Sequence, residues 1–174
     1  MQFISTGIKA MKAGRKTNTR RVQKEGERLV YGYWTWSCFN KYGYFLNEAR
    51  HWSWADKPSS SWYVATILDK HGRIKWQVGR RYAIQPGQGK FGIGSFLCTS
   101  LRSERLQDIS RNDVVAEGIA QYTFAKGCLS DDPPDPRWAF IELWDSIHKK
   151  GERWADNPKV WVIGQAEFQW KDEG

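Results

Sequence analysis

The sequence is short of the residues that build disulfide frameworks and metal centres. Its three cysteines, Cys38, Cys98 and Cys128, are odd in number, far apart and outside any CxxC spacing, so neither a disulfide framework nor a zinc knuckle is expected. Reduced thiols in a cytoplasmic compartment follow. His51, His71 and His148 are isolated, with no HExxH or similar grouping, which argues against a metal site; no cofactor is expected either. No uninterrupted apolar run approaches the roughly 20 residues of a membrane span, and the opening "MQFISTGIKAMKAGRK" is broken by lysines and glycines, so a soluble, non-secreted protein without a membrane partner is expected. Acidic residues are also in deficit, 19 against 27 Lys and Arg.

The resulting charge of +8 is uneven, because residues 1–30 hold eight Lys and Arg against Glu25 and Glu27. That asymmetry points to an anionic partner: single-stranded RNA, DNA or a nucleotide. Its densest part is "GRKTNTRR" at 14–21, where Arg15, Lys16, Arg20 and Arg21 surround two threonines with no acid among them. Such a stretch can be a reactive lysine beside a hydroxyl, a nucleic-acid contact, or a solvated basic turn.

At 174 residues the chain suits one domain carrying an insertion. "FISTGIKAMKAG" predicts a short strand and then a helix over 6–13, with Ser5 or Thr6 as cap and Gly14 at the left-handed C-terminal position. Residues 23–74 form an aromatic, β-rich insertion, with "YGYWTWSCF", "HWSWADKPSSSWYVATIL" and the hairpin signal "DKHGR". Farther on, "RYAIQ" and "SFLCTSL" are strands split by a Pro-Gly-x-Gly turn that carries Lys90, and "VWVIG" belongs to a closing strand. "SRNDVVAEG" predicts a helix over 111–117, capped by Ser110 with Asp113 at the capping-box position and Gly118 past its end. Glu117 then falls in a last turn, where the helix dipole disfavours a carboxylate. "DPRWAFIELWDSIHKKG" predicts a helix over 136–149, with Trp138, Ile141, Trp144 and Ile147 as a core-facing stripe.

Gly14-x-Lys16-x-x-Thr19-x-Arg21 resembles the G-x-K-x-x-[E/T]-x-R signature of ASCH domains, which share the PUA-like β-barrel. "KWQVGRRYAIQPGQGK", "ERLQDISRNDVVAEGI", "FIELWDSI" and "NPKVWVI" are similar to blocks of phage and prophage ASCH proteins, so the resemblance covers residues 1–22 and 75–168. It implies an α+β fold, a small PUA-like barrel flanked by helices, with the 23–74 insertion outside it. Many ASCH proteins have Glu where Thr19 stands; the threonine resembles the subset that hydrolyses N(4)-acetylcytidine. Carried over residue by residue, the resemblance implies Lys16, Thr19 and Glu117 as catalytic residues. Arg20, Arg21 and Lys90 are then candidates for substrate or phosphate binding.

Lys16 and Thr19 could not cooperate within one regular strand, since three extended residues separate side chains by about 10 Å and send them to opposite faces. A bend after Gly14 is therefore needed. Two schemes are open for an amide substrate: Thr19 as nucleophile with Lys16 as base, or water as nucleophile with Glu117 as base and Lys16 on the oxyanion. Against an amidohydrolase of modified nucleosides stand a non-catalytic RNA- or DNA-binding module and a ribonuclease. A plain structural role is also open, with Lys16 and Glu117 as an ion pair and Thr19 bonded locally. The sequence leaves the oligomeric state open.

Overall fold

The computed structural model describes residues 5–39, 45–55, 64–87, 89–119 and 135–171, together with their side chains except at 33–39 and 45–55. The short strand expected at the start of "FISTGIKAMKAG" lies outside the described residues, as does most of the acidic, proline-broken stretch "LSDDPPDP" that the sequence presents as a loop. In chain order the elements are α1 (Ser5–Lys12), β1 (Asn18–Val22), β2 (Arg28–Phe39), β3 (Phe45–Ala55), β4 (Val64–Leu68), β5 (Ile74–Gln77), β6 (Arg81–Ile84), β7 (Gly94–Arg105), α2 (Arg111–Ala116), α3 (Arg137–Ile147) and β8 (Lys159–Trp170). The fold is α+β, with two four-stranded antiparallel sheets, and neither sheet closes into a barrel among the described residues. None of the described helices is long and apolar enough to cross a membrane.

The chain divides into two compact units, residues 25–78 and residues 1–24 with 79–174. In the smaller, the sheet order is β3-β2-β4-β5. Its β4–β5 hairpin turns at the "DKHGR" stretch because Asp69 Oδ1 accepts the His71 and Arg73 amides, each at 2.9 Å. Val30, Ile67, Leu68 and Trp76 are buried there.

In the larger unit the order is β1-β8-β7-β6, so the runs "RYAIQ", "SFLCTSL" and "VWVIG" are neighbours in one sheet. β8 is an interior strand and is buried without interruption from Val160 to Gln165, as expected of a strand covered on both faces. Val160 and Val162 pack with Leu106, Ile109, Val114, Phe140 and Trp144 in one cluster, which seats α2 and α3 on the sheet. Each such side chain contributes roughly 1.5–3 kcal/mol of burial.

The stripe on α3 differs from the expected one. Phe140 and Trp144 are buried, whereas Trp138 and Ile147 are exposed. Apolar residues surround most of this helix, so helical spacing alone allows two adjacent stripes. The 5.7 Å pairing of the Phe140 and Trp144 rings, four residues apart, decides which one meets the core.

Candidate functional site

Two turns of chain, at the ends of α1 and α2, meet in the larger unit. α1 ends as expected at Gly14, whose φ of 69° lets the Gly14 and Arg15 amides bond back to Met11 and Ala10, each at 2.9 Å. The chain leaves that turn through Lys16 and enters β1 at Asn18. Along the way Lys16 pairs with Glu117 in an isolated antiparallel bridge, the Thr17 amide donates to Ala116 O at 2.8 Å, and Thr17 O accepts from the Gln165 amide at 2.7 Å. The bend is thus fastened to both α2 and β8.

α2 supplies the other side. Ser110 caps it, accepting from the Asp113 amide at 3.1 Å, and Gly118 leaves the last turn with φ 82°. A Cβ on Gly118 would stand 2.7 Å from Ala10 Cβ and 2.9 Å from Lys16 Cβ, so glycine is what lets α2 end against the bend. Glu117 occupies the C-cap, and its neighbours explain a carboxylate at the negative end of a helix. Lys16 Nζ donates to Glu117 Oε2 at 2.5 Å and to Glu117 O at 2.9 Å, and Arg20 Nη1 donates to Glu117 Oε1 at 3.0 Å.

The network extends behind Glu117. Arg20, fully buried, also donates through Nε and Nη2 to Glu104 Oε1 at 2.9 and 2.7 Å and lies 3.4 Å from Asp113 Oδ2. Arg102 bridges Glu104 Oε2 and Asp113 Oδ1 at 3.0 and 2.9 Å. Burial would raise the Asp113 carboxyl, but hydrogen bonds from Arg102 and Ser110 and the charges of Arg20 and Arg102 outweigh it and hold it below its ordinary value. Three cations thus face three carboxylates, all hydrogen-bonded, as burial of charge requires.

Beside this cluster lies a cavity of about 440 Å³, within the range of small-molecule sites. Its lining includes Lys16, Thr19, Arg20, Arg21 and Glu117, together with Phe140, Leu143, Trp144, Ile147 and His148 from α3 and its end. Among the described residues the Thr19 hydroxyl has no hydrogen-bond partner, although Thr19 is buried. Burial lowers the Arg21 guanidinium from its ordinary value, opposed by the charge of Glu117.

Comparison of the chain with protein-family models, curated proteins and solved structures finds no match.

Of the residues singled out in the sequence, Lys16, Thr19, Glu117, Arg20 and Arg21 share this cavity, while Lys90 lies exposed in the turn before β7 and is not part of the lining. Arg20 departs from its expected role as a phosphate contact: its guanidinium is spent on Glu104, Asp113 and Glu117 and keeps no exposed surface. It positions Glu117. Cys98 is no thiolate nucleophile, because burial in β7 pushes its thiol up to about 11. Among the described residues no group of three or more His, Cys, Asp and Glu is arranged to hold a metal ion. Sequence reasoning missed Glu104, Asp113 and Arg102 as partners of the site and His148 as part of its lining. The only signal for His148 was its place four residues after Trp144, on the same helical face.

Proposed function

We propose that the larger unit is an ASCH-type, PUA-like domain that hydrolyses the acyl amide of N(4)-acetylcytidine or a similar modified nucleoside. The supporting observation is that Lys16, Thr19 and Glu117, from a bend, a strand and a helix end, line one cavity large enough for a nucleoside. In the reaction, water adds to the acyl carbonyl carbon, the C–N bond breaks, the acyl group leaves as a carboxylic acid and the amine takes the proton. Lys16 already gives two N–H groups to Glu117, and its third serves the carbonyl oxygen as negative charge develops there. Glu117, fixed by Lys16 and Arg20, takes the proton of the attacking water and returns it to the departing nitrogen. The Thr19 hydroxyl orients that water, and Arg21 binds an anionic or carbonyl group of the ligand.

Incubation with N(4)-acetylcytidine, followed by chromatography for cytidine, tests this reading. Lys16→Ala should abolish turnover, and Thr19→Val should lower kcat by about 10²–10⁴, as for loss of a positioning or proton-transfer contribution. A much larger loss in Thr19→Val would instead make Thr19 the nucleophile and Lys16 its base. No cleavage of any acylated nucleoside by the folded wild-type protein would return Lys16 and Glu117 to a purely structural role.

A second reading, binding of single-stranded RNA or DNA without catalysis, is favoured by the exposed Lys9, Lys12 and Arg15 around the end of α1. Affinity would then fall steeply with salt, and Lys9→Ala or Arg15→Ala would flatten the slope. Undetectable binding at low ionic strength leaves the nucleoside site alone.

A further inference from the structure

Resting on the nucleoside reading above, we infer that His148 reads the sugar of the ligand: its Nε2 accepts a hydrogen bond from a ribose hydroxyl, so that the cavity takes an intact nucleoside in preference to a base with no donor in place of the sugar.

The imidazole is held in a single orientation. His148 follows the last residue of α3 and returns its amide to Trp144 O at 3.1 Å. Its Nδ1 lies 2.9 Å from the same carbonyl oxygen. A carbonyl carries no proton, so Nδ1 must donate, and in the neutral ring Nε2 is then the acceptor. The ring lies flat on the indole of Trp144, with centroids 3.8 Å apart and planes 13° from parallel. That indole is itself fixed, since its Nε1 donates to Glu152 O at 2.8 Å and its ring packs on Phe140. Among the described residues Nε2 has no hydrogen-bond partner, and His148 is half-buried in the cavity lining.

An acceptor fixed in the cavity lining calls for a donor on the ligand. In an N(4)-acylated cytidine N1 carries the sugar, O2 and N3 are acceptors, and the one exchangeable N–H of the base belongs to the amide that must lie at Lys16 and Glu117. The donors that remain are the hydroxyls of the sugar. A site built to bond a hydroxyl discriminates against a ligand that lacks it, because a half-buried acceptor is then left without its hydrogen bond.

The test compares N(4)-acetylcytidine with N(4)-acetyl-1-methylcytosine, which has no donor in place of the sugar, on the wild type, His148→Phe and His148→Gln. Phenylalanine keeps a flat ring on Trp144 but offers no acceptor, whereas the Gln carbonyl can stand in for Nε2. His148→Phe is expected to lower kcat/KM for the nucleoside roughly tenfold, through KM, with the base unaffected, and His148→Gln should recover part of the loss. Equal losses on both substrates, or a preference unchanged in His148→Phe, would overturn the inference while leaving the hydrolase reading intact. The ¹⁵N resonance of His148 Nε2 in the wild-type protein supplies a readout independent of turnover. It should shift on adding cytidine and not on adding 1-methylcytosine. If the wild type cleaves neither substrate, the hydrolase reading falls, and this titration alone decides: a cytidine-specific shift upholds the sugar contact, and its absence overturns it.

Discussion

At the tip of the β4–β5 hairpin, Arg73 Nε lies 2.8 Å from Asp69 Oδ2 with the arginine side chain 75% exposed; at the end of α2, Lys16 Nζ lies 2.5 Å from Glu117 Oε2, with the two side chains 7% and 8% exposed. Both are contacts between a cation and a carboxylate, yet their surroundings give them different weight. Water around Arg73 screens the attraction and would solvate either partner if the other were lost, so the pair contributes little. Lys16 and Glu117 expose little of their side chains to solvent, so either charge would be poorly compensated if the other were lost. The buried contact is therefore one link in a network through Arg20, Glu104, Asp113 and Arg102, whereas the exposed one sits on a turn already closed by backbone amides.

The sharpest way to break this comparison is at Arg20. Arg20→Met leaves Glu104 and Glu117 short of their shared cation and is expected to destabilise the larger unit by ~3–5 kcal/mol in urea unfolding, with Arg20→Lys less severe but not silent. A loss no greater than that of a surface pair would show that the network is solvated. Next in size is Gly118→Ala. Its methyl group would meet Ala10 and Lys16, and its φ would be left-handed, costing about 2–4 kcal/mol and pushing Lys16 away from Glu117. Under the proposed hydrolase function, turnover of N(4)-acetylcytidine should fall in step.

Acid gives a smaller, graded effect. The Asp113 carboxyl is lower in the folded chain than in the unfolded one, so its contribution is present above the unfolded value of about 3.9 and is lost as pH falls through the folded value. Stability measured by chemical denaturation should decline below about pH 4, and Asp113→Asn should flatten that decline. A slope identical in the variant would remove Asp113 from the account. The smallest effect is expected at the hairpin: Arg73→Ala should leave the melting temperature within experimental error, and a clear drop would mean that the exposed pair resembles the buried one after all.

Much of the candidate site was legible before any coordinates. Glycine at 14, lysine at 16 and threonine at 19 require a helix stop, a bend and a strand entry, since Gly14 supplies the left-handed turn and the two side chains cannot share a regular strand face. Ser110, Asp113 and Gly118 bound the short helix by the same local rules, and Glu117 stood out because a carboxylate conflicts with the dipole there. Arg20 and α3 were less legible. An arginine in a basic run suggests a phosphate contact until Glu104, more than eighty residues away, is known to stand beside it. The α3 stripe was ambiguous because its apolar residues exceed what one face can bury.

The sequence alone determined the local turns, the approximate helix limits, the three strand runs of the larger unit and the excess of positive charge, because each depends on composition, backbone freedom, capping or alternation within a few residues. Only the tertiary structure decided that Glu117 meets Lys16, that Arg20 is turned inward to three carboxylates, and that Trp144 holds His148 at the cavity. Those outcomes depend on desolvation and on contacts between residues distant in the chain, and no local pattern encodes which charge will find a partner out of water.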